Sequence, residues 1–162
     1  MATMPARGGT AAAWITIATA GVALFEGFAS TPYIDRIGRG QPVTYCYGET
    51  QADGPLPPMG HVFSEADCRK MLTKQLVDKY DKGVHACIHV KLPPHREAAL
   101  VSFTYNLGAG ALCHGAVARG INEGDVAAGC SAMRGYNHSN GKVVKGLTRR
   151  RQWEYDLCMR DD

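Results

Sequence analysis

The hydrophobic pattern begins with one long uncharged segment, which is followed by shorter periodic ones. Residues 8 to 25 carry no charged side chain, and the run ends abruptly at Glu26. Alanine, threonine and glycine are frequent in it, so the segment is only weakly hydrophobic. A helix that spans a bilayer needs about 20 predominantly apolar residues, and these 18 positions stand at the lower limit. The pattern predicts a helix that is either buried in the protein or inserted in a membrane.

Residues 28 to 63 have the features of a small lobe that contains β-structure. Val43, Tyr45 and Tyr47 are strand-forming residues, and glycines interrupt the chain just before them. Three prolines then make residues 51 to 62 a loop.

From Ser64 onward the pattern predicts helices. Ser64 begins a capping sequence, and Leu72, Leu76 and Tyr80 then recur every four residues, which indicates a helix over 65–82. Further helices are predicted over 93–107, 112–120, 124–134 and 148–159. A β-containing lobe followed by a larger helical lobe is an α+β arrangement.

Two carboxyl groups lie near the start of the small lobe. Glu26 directly follows the apolar segment, and apolar surroundings favour the protonated form of a carboxyl group. Asp35 lies before two glycines, where wetter surroundings keep a carboxylate charged. Such a pair suits glycoside hydrolysis, because one group donates a proton and the other assists attack from the opposite face. Thr44 supplies a hydroxyl group that can hold a water molecule. The alternative is a helix-end carboxylate and a turn residue.

The same residues resemble a known active-site signature. Glu26, Asp35 after eight residues, Thr44 and the Tyr-Cys-Tyr-Gly-Glu-Thr run resemble the bacteriophage lysozymes, glycoside hydrolase family 24. The resemblance continues in order through residues 92–94, 98–110, 122–125, 140–142 and 145–151, so it covers about residues 22 to 160. It implies a lysozyme-like α+β catalytic domain over 26–162, with the active-site cleft between the two lobes.

The resemblance also implies the reaction and the role of each residue. Glu26 would be the general acid, Asp35 the partner carboxylate and Thr44 the hydroxyl that positions water. The substrate would be the peptidoglycan glycan strand, cleaved between N-acetylmuramic acid and N-acetylglucosamine to lyse the host cell. Two alternatives stay open: a lytic transglycosylase, which needs one glutamate only, and a catalytically silent wall-binding module.

Two features depart from the family pattern. The family usually has five residues between its aspartate and threonine, whereas eight separate Asp35 from Thr44. The family usually has histidine after the glycine of the following turn, whereas this chain has Glu49. The first departure leaves Thr44 as the least secure of the three site residues.

The N-terminal segment, residues 1–25, resembles the signal-arrest-release segments of some phage endolysins. Such a segment would tether the protein transiently to the host inner membrane through residues 8–25 and then release it into the periplasm. One alternative is a core helix in an enzyme that stays in the cytoplasm until a holin releases it. The other alternative is a cleaved signal peptide.

Six cysteines are many for a reducing compartment, and an even number permits three disulfides with fifteen connectivities. We predict Cys46–Cys68, Cys87–Cys113 and Cys130–Cys158; the last two pairs resemble cysteine pairs of exported phage endolysins. No cysteine pair has the spacing of a zinc knuckle.

The net charge of +3 suits an anionic partner, and the resemblance selects the cell wall. The densest basic cluster is either a weak attractor for the wall or a solvated helix start with one buried arginine; it comprises Lys142, Lys145, Arg149, Arg150 and Arg151. Among the histidines only His85 and His89 have helical spacing. We expect no metal, no cofactor and no nucleic-acid partner, and we expect a monomer.

Overall fold

Helix α1, Thr10–Glu26, opens the part of the chain that the computed structural model describes, residues 10 to 161. Gly27 ends the helix in a left-handed conformation with φ of 75°, where glycine is favoured, and its N–H donates to the carbonyl of Ala23. The predicted N-terminal segment thus forms a helix, although its first nine residues lie outside the described range. Between residues 10 and 161, no helix has both the length and the apolar character needed to cross a bilayer.

A two-stranded hairpin follows α1 and forms the small lobe. Strand β1, Ala29–Ile34, pairs antiparallel with β2, Val43–Cys46, and Tyr33 lies opposite Thr44. A tight turn after β2 brings Glu49 back to Tyr45. Residues 51 to 62 form a loop, as predicted.

One long helical run connects the small lobe to the rest. It consists of α2 (Glu65–Gln75), a π-helical segment (Leu76–Asp81) and α3 (Lys82–Cys87). The Ser64 hydroxyl accepts a hydrogen bond from the Asp67 N–H, which confirms the predicted N-cap. The predicted end at residue 82 is wrong, because the π-helical turn lets the helix continue to Cys87.

The large lobe is helical. Its elements are α4 (Pro94–Leu107), α5 (Ala109–Cys113), α6 (Ala116–Asn122), α7 (Val126–Ala132), a 3₁₀ turn (Met133–Gly135), β3 (His138–Ser139), β4 (Lys142–Val143) and α8 (Lys145–Cys158). The bounds of α4 agree with the prediction, including the stop at Gly108. The single helix predicted over 112–120 is wrong, because His114 and Gly115 separate α5 from α6.

Helix α4 is the centre of the core. Every residue from 98 to 104 is buried, and both α1 and α8 pack against this helix. Helix α1 approaches α8 closely at Gly21, where a Cβ atom would lie 2.1 Å from Cη2 of Trp153. On its other side, the Thr19 hydroxyl lies 3.1 Å from that of Thr73 in α2. In this structure α1 is therefore an integral core helix of the α+β fold.

Three disulfides cross-link the chain, with the pairings that the sequence analysis expected. Cys46–Cys68 joins β2 to α2, Cys87–Cys113 joins α3 to α5, and Cys130–Cys158 joins α7 to α8. Their sequence separations are 22, 26 and 28 residues. Loops of this size stabilise a fold by about 3–4 kcal/mol each in the chain-entropy model.

Candidate active site

Glu26 is the last residue of α1, at the point where α1 meets the hairpin and α8. Its side chain is 23% exposed, and its Oε1 accepts a hydrogen bond of 2.5 Å from Nη1 of Arg150. The Phe25 ring lies 5.6 Å from the same guanidinium group. Apolar side chains do lie beside this carboxyl group, as expected, but a buried arginine that was not expected also faces it.

The Arg150 side chain is buried, and it donates hydrogen bonds to Glu26, Glu154 and Ser102. Its Nε donates to Oε1 of Glu154 at 3.2 Å, and its Nη2 donates to the Ser102 carbonyl at 3.2 Å. The Ser102 hydroxyl in turn donates to Oε1 of Glu154 at 2.7 Å. Because each contact comes from a buried group, the direction of the guanidinium toward Glu26 is fixed.

The basic cluster divides into buried and exposed members. The sequence analysis expected one buried arginine at most, whereas both Arg150 and Arg151 are buried. Arg151 donates to the Asn106 side chain and also pairs with Glu154. The other three members of the cluster are exposed: Lys142, Lys145 and Arg149. Only those three side chains are available to attract an anionic surface.

Asp35 follows directly after β1, and the backbone orients its carboxylate. Its Oδ1 accepts hydrogen bonds of 3.0 Å from the N–H groups of both Ile37 and Gly38. Its own N–H donates to the Pro42 carbonyl at 2.9 Å, which extends the hairpin by one pair. The side chain is half-buried in polar surroundings, in agreement with the expectation.

Thr44 lies in β2 and is 6% exposed. It pairs with Tyr33, and Asp35 is two residues further along the same strand as Tyr33. Side chains two apart on a strand share a face, and such diagonal neighbours lie about 7–8 Å apart. The hairpin loop over residues 36–41 separates the two strands, so the register of Tyr33 with Thr44 and the bond from Asp35 to Pro42 keep Thr44 and Asp35 on adjacent strands of one hairpin.

Glu49 is a buried carboxyl group that the sequence analysis noted only as a departure from the family. It is 1% exposed, and its Oε2 accepts a hydrogen bond of 2.7 Å from the Tyr47 N–H. Its Oε1 is buried and has no hydrogen-bond partner within the described part of the chain. Burial raises the pKa of Glu49, and the nearby charges of Asp53 and Glu26 act in the same direction.

The turn that contains Glu49 borders the acid. A Cβ on Gly48 would lie 3.7 Å from Oε2 of Glu26, which is an ordinary van der Waals distance, and the φ of 95° at Gly48 favours glycine. The Tyr105 hydroxyl donates to the Tyr47 carbonyl at 2.7 Å and supports the turn from α4. Burial raises the pKa of Tyr105, and the negative charges of Glu26 and Glu49 raise it further, so its hydroxyl remains a donor.

A groove of about 680 Å³ lies beside Glu26, on the side of the helical lobe. It is within the range of about 300–1,000 Å³ that is common for ligand sites. Its lining contains apolar, amide and basic side chains: Leu24, Phe25, Glu26, Asn106, Val144, Gly146, Leu147, Arg149 and Arg150. Such a mixture can contact the apolar faces and the hydroxyl groups of sugar rings.

A carboxyl group at the junction of a β lobe and a helical lobe, beside a groove of this size, is compatible with a glycosidase of the lysozyme class. The chain belongs to the phage lysozyme family, whose model matches residues 23–154. It is an enzyme that hydrolyses the glycan strand of bacterial peptidoglycan, as the resemblance implied. The predicted family, fold class and activity are therefore confirmed.

Individual relatives agree with this assignment. The chain is 37% identical to the SAR-endolysin of Bacteriophage PS119 over 134 residues, which cover 83% of this chain and 76% of that protein. The muramidase domain of SpmX from Asticaccaulis excentricus has a TM-score of 0.76 at 26% identity, with 88% of this chain and 95% of that one covered.

A third relative has been solved in two forms. The active form of P1 phage endolysin Lyz, 18% identical, has a TM-score of 0.73 and covers 96% of each chain. The secreted inactive form of the same endolysin, at 16% identity, has a TM-score of only 0.53, with 86% of this chain and 93% of that one covered. The fold of this chain is thus much closer to that of the active form.

Proposed function

We propose that Glu26 is the general acid that protonates the glycosidic oxygen between N-acetylmuramic acid and N-acetylglucosamine. The observation that carries the proposal is the position of Glu26: its side chain is partly exposed, borders the groove and is held by the buried Arg150. Arg150 is a positioning residue in this scheme, because it fixes one carboxyl oxygen and leaves Oε2 toward Gly48.

Asp35 is the second carboxylate of the reaction. Two backbone N–H groups donate to its Oδ1 and orient the carboxyl group on the hairpin. It would stabilise the positive charge that develops on the sugar ring, or activate a water molecule for attack from the face opposite Glu26. The resemblance to the phage lysozymes favours the water route, with inversion at the anomeric carbon.

Thr44 would hold that water molecule beside Asp35. The register of the hairpin, in which Thr44 lies opposite Tyr33, together with the alternation of side chains along a strand supports this assignment despite the three-residue insertion. A hydroxyl group can donate to a carboxylate and accept from water at the same time. The partner in this reaction is the glycan strand alone, and the enzyme would act as a monomer.

The N-terminal segment would have two successive environments. The PS119 relative is named a SAR-endolysin, and the weakly apolar run up to Phe25 supports the same route for this chain. Residues 8–25 would first tether the protein to the inner membrane of the host. After release into the periplasm, residues 10 to 26 of this segment would dock as α1 and carry Glu26 to Arg150.

The test of the catalytic assignment compares Glu26→Gln with Glu123→Gln, a matched change at an exposed position. The amide cannot donate the proton, and general acid catalysis contributes about 10²–10⁴-fold, so Glu26→Gln should lose that factor. The measurement is the release of reducing ends from purified peptidoglycan, with thermal unfolding as a check on folding. A folded Glu26→Gln variant with the rate of the Glu123→Gln control would disprove the role of Glu26.

A further inference from the structure

Three metal-ligating side chains converge on the helical lobe, away from the groove. Asp81 is the last residue of the π-helical segment, His85 lies one turn later in α3, and Glu97 lies in the first turn of α4. Their ligand atoms all lie within 4.8 Å of one another. The π-helical segment that precedes Asp81 is a feature often found beside functional sites.

The distances within the cluster are close to those of a coordination shell. Nε2 of His85 lies 2.7 Å from Oε1 of Glu97 and 3.4 Å from Oδ1 of Asp81. Zinc bonds of about 2.0–2.1 Å in a tetrahedral site separate neighbouring ligand atoms by about 3.3 Å. The distance from Nε2 of His85 to Oδ1 of Asp81 already has about this value. A small rotation of the half-exposed His85 side chain would lengthen its distance to Oε1 of Glu97 toward the same value.

One buried carboxylate oxygen of the cluster has no hydrogen-bond partner within the described residues. Oδ1 of Asp81 is buried, and among residues 10 to 161 it has no hydrogen-bond donor, although the imidazole of His85 faces it at 3.4 Å. The Asp81 and Glu97 side chains are only 20% and 15% exposed. Two mostly buried carboxylates thus share one imidazole, which carries at most one positive charge. A divalent cation supplies the missing charge and a ligand bond to the orphaned oxygen.

We propose that Asp81, His85 and Glu97 form a binding site for a divalent transition-metal ion such as Zn²⁺. An imidazole nitrogen with two carboxylate oxygens suits zinc, whereas Mg²⁺ and Ca²⁺ prefer oxygen ligands alone. The 49% exposure of His85 leaves the fourth position open to water.

The sequence analysis expected no metal, because the only helical histidine pair was His85 with His89. The true partners of His85 are carboxylates, one of them four residues earlier and the other across the helix interface on α4. His89 is not part of the cluster, and its backbone N–H instead donates to Asn122.

A bound ion would cross-link the α2–α3 run to the start of α4. Between these two elements the chain makes a turn at Ile88–Pro93, and the Cys87–Cys113 disulfide lies directly beside it. None of the three residues lines the groove beside Glu26, so the role of the ion would be to stabilise the helical lobe and not to take part in the reaction. A ligand that binds only the folded state raises the apparent stability by mass action.

The test uses the oxidised, full-length protein after removal of metals with EDTA. Calorimetric titration with ZnCl₂ should give one site per chain, and zinc should raise Tm whereas MgCl₂ should not. His85→Asn and the isosteric Glu97→Gln should each lower zinc affinity by about tenfold or more. His89→Asn is the matched control, since it removes an exposed histidine of the same segment and should leave the affinity unchanged.

Each result supports or overturns the proposal. If the wild-type protein shows neither heat of zinc binding nor a shift of Tm, His85 is only an ion-pair partner of the two carboxylates. Zinc binding that survives both His85→Asn and Glu97→Gln also overturns the site. The Glu97→Gln variant retains an oxygen acceptor for His85, and unchanged lytic activity shows that the variant is folded.

Discussion

Glu26 and Arg150 lie 124 positions apart in the chain and are joined by a hydrogen bond of 2.5 Å. The first residue ends α1, and the second lies in the second turn of α8. The bond exists only when both helices are docked on α4, because each side chain reaches the other across that packed interface. The position of the Glu26 carboxyl group therefore depends on the packing of α1 against the rest of the fold.

The first prediction concerns Arg150. Arg150→Gln removes a buried positive charge, leaves Glu154 with one fewer partner and releases the carboxyl group of Glu26. Breaking a buried ion pair costs about 3–5 kcal/mol, so the free energy of unfolding should fall by this amount. Denaturant unfolding of the purified protein measures the loss, and the lytic rate should fall with it.

Arg149→Gln is the control for this change, since the neighbouring arginine is exposed. Exposed substitutions usually alter stability by less than about 0.5 kcal/mol. Arg150→Lys keeps the positive charge but loses the planar set of N–H donors of the guanidinium group. Its free energy of unfolding should therefore lie between those of the wild type and Arg150→Gln. Equal stabilities for Arg150→Gln and Arg149→Gln would refute the positioning role.

The second prediction distinguishes the effect of the Thr44 hydroxyl group on activity from the effect of the size of its side chain. Thr44→Val keeps the size of the side chain and removes the hydroxyl, whereas Thr44→Ser keeps the hydroxyl and removes a methyl group. If the hydroxyl holds the water, Thr44→Val should lower kcat by about tenfold or more with little change in KM, and Thr44→Ser should retain most of it. Steady-state rates on soluble peptidoglycan fragments distinguish the two, and the reverse order would show that only packing matters.

The third prediction is a pH dependence of stability at Glu49. Burial raises the pKa of Glu49 in the folded state above its value of about 4.3 in the unfolded chain. The fold therefore favours the protonated form, and stability is lost as the pH rises from that unfolded value through the folded one. Glu49→Gln cannot ionise, so its Tm relative to the wild type should increase steadily with pH across this window.

Burying the amide of Glu49→Gln changes Tm by an amount that does not depend on pH. Measuring the difference in Tm from the wild type at several pH values therefore isolates the part that comes from ionisation of Glu49. Glu123→Gln is again the matched control, because an exposed glutamate should give a difference in Tm that does not change with pH. A Glu49→Gln difference that is equally independent of pH would mean that the pKa of Glu49 is the same in the folded and the unfolded protein, which would refute the prediction.

The fourth prediction tests the membrane stage of α1 at Ala20, which is exposed in the folded enzyme. Leucine favours the centre of a bilayer by about 0.6 kcal/mol, whereas a polar side chain opposes insertion. Ala20→Leu should enlarge the membrane-bound fraction and delay lysis, and Ala20→Gln should do the opposite. Fractionation of expressing bacteria, with lysis followed in parallel, measures both.

The choice of position matters for this experiment. A leucine at Gly21 would collide with Trp153, where a Cβ alone would lie 2.1 Å from the ring, and would damage the enzyme itself. Ala20 avoids that contact, so the purified Ala20→Leu protein should have normal activity. Identical fractionation and lysis times for both Ala20 variants would make α1 a core helix only.

Local patterns predicted much of this fold. The cap at Ser64, the start of α4 at Pro94 and its stop at Gly108 each depend on one residue and its immediate neighbours. The division of 112–120 into two helices was missed because the break at His114–Gly115 depends on packing: a Cβ on Gly115 would lie 2.8 Å from the Tyr136 hydroxyl.

The residues of the candidate site that belong to the family motif could be predicted from the sequence. Contacts between residues far apart in the chain could not. Glu26, Asp35 and Thr44 stand in one short stretch with recognisable spacing. The contact of Arg150 with Glu26 and the burial of Glu49 depend on tertiary packing, which leaves no periodic trace in the sequence. A run of three arginines gives no indication of which of them faces inward.

The three disulfides have a consequence for the order of maturation. All six cysteines lie between Cys46 and Cys158, so α1 carries no cross-link to any other element. Oxidation of the chain therefore places no covalent constraint on where α1 resides, in lipid or in the protein. Under the proposed membrane stage, all three bonds would therefore form independently of where α1 lies, and the last step toward an active enzyme would be the reversible, non-covalent docking of one helix.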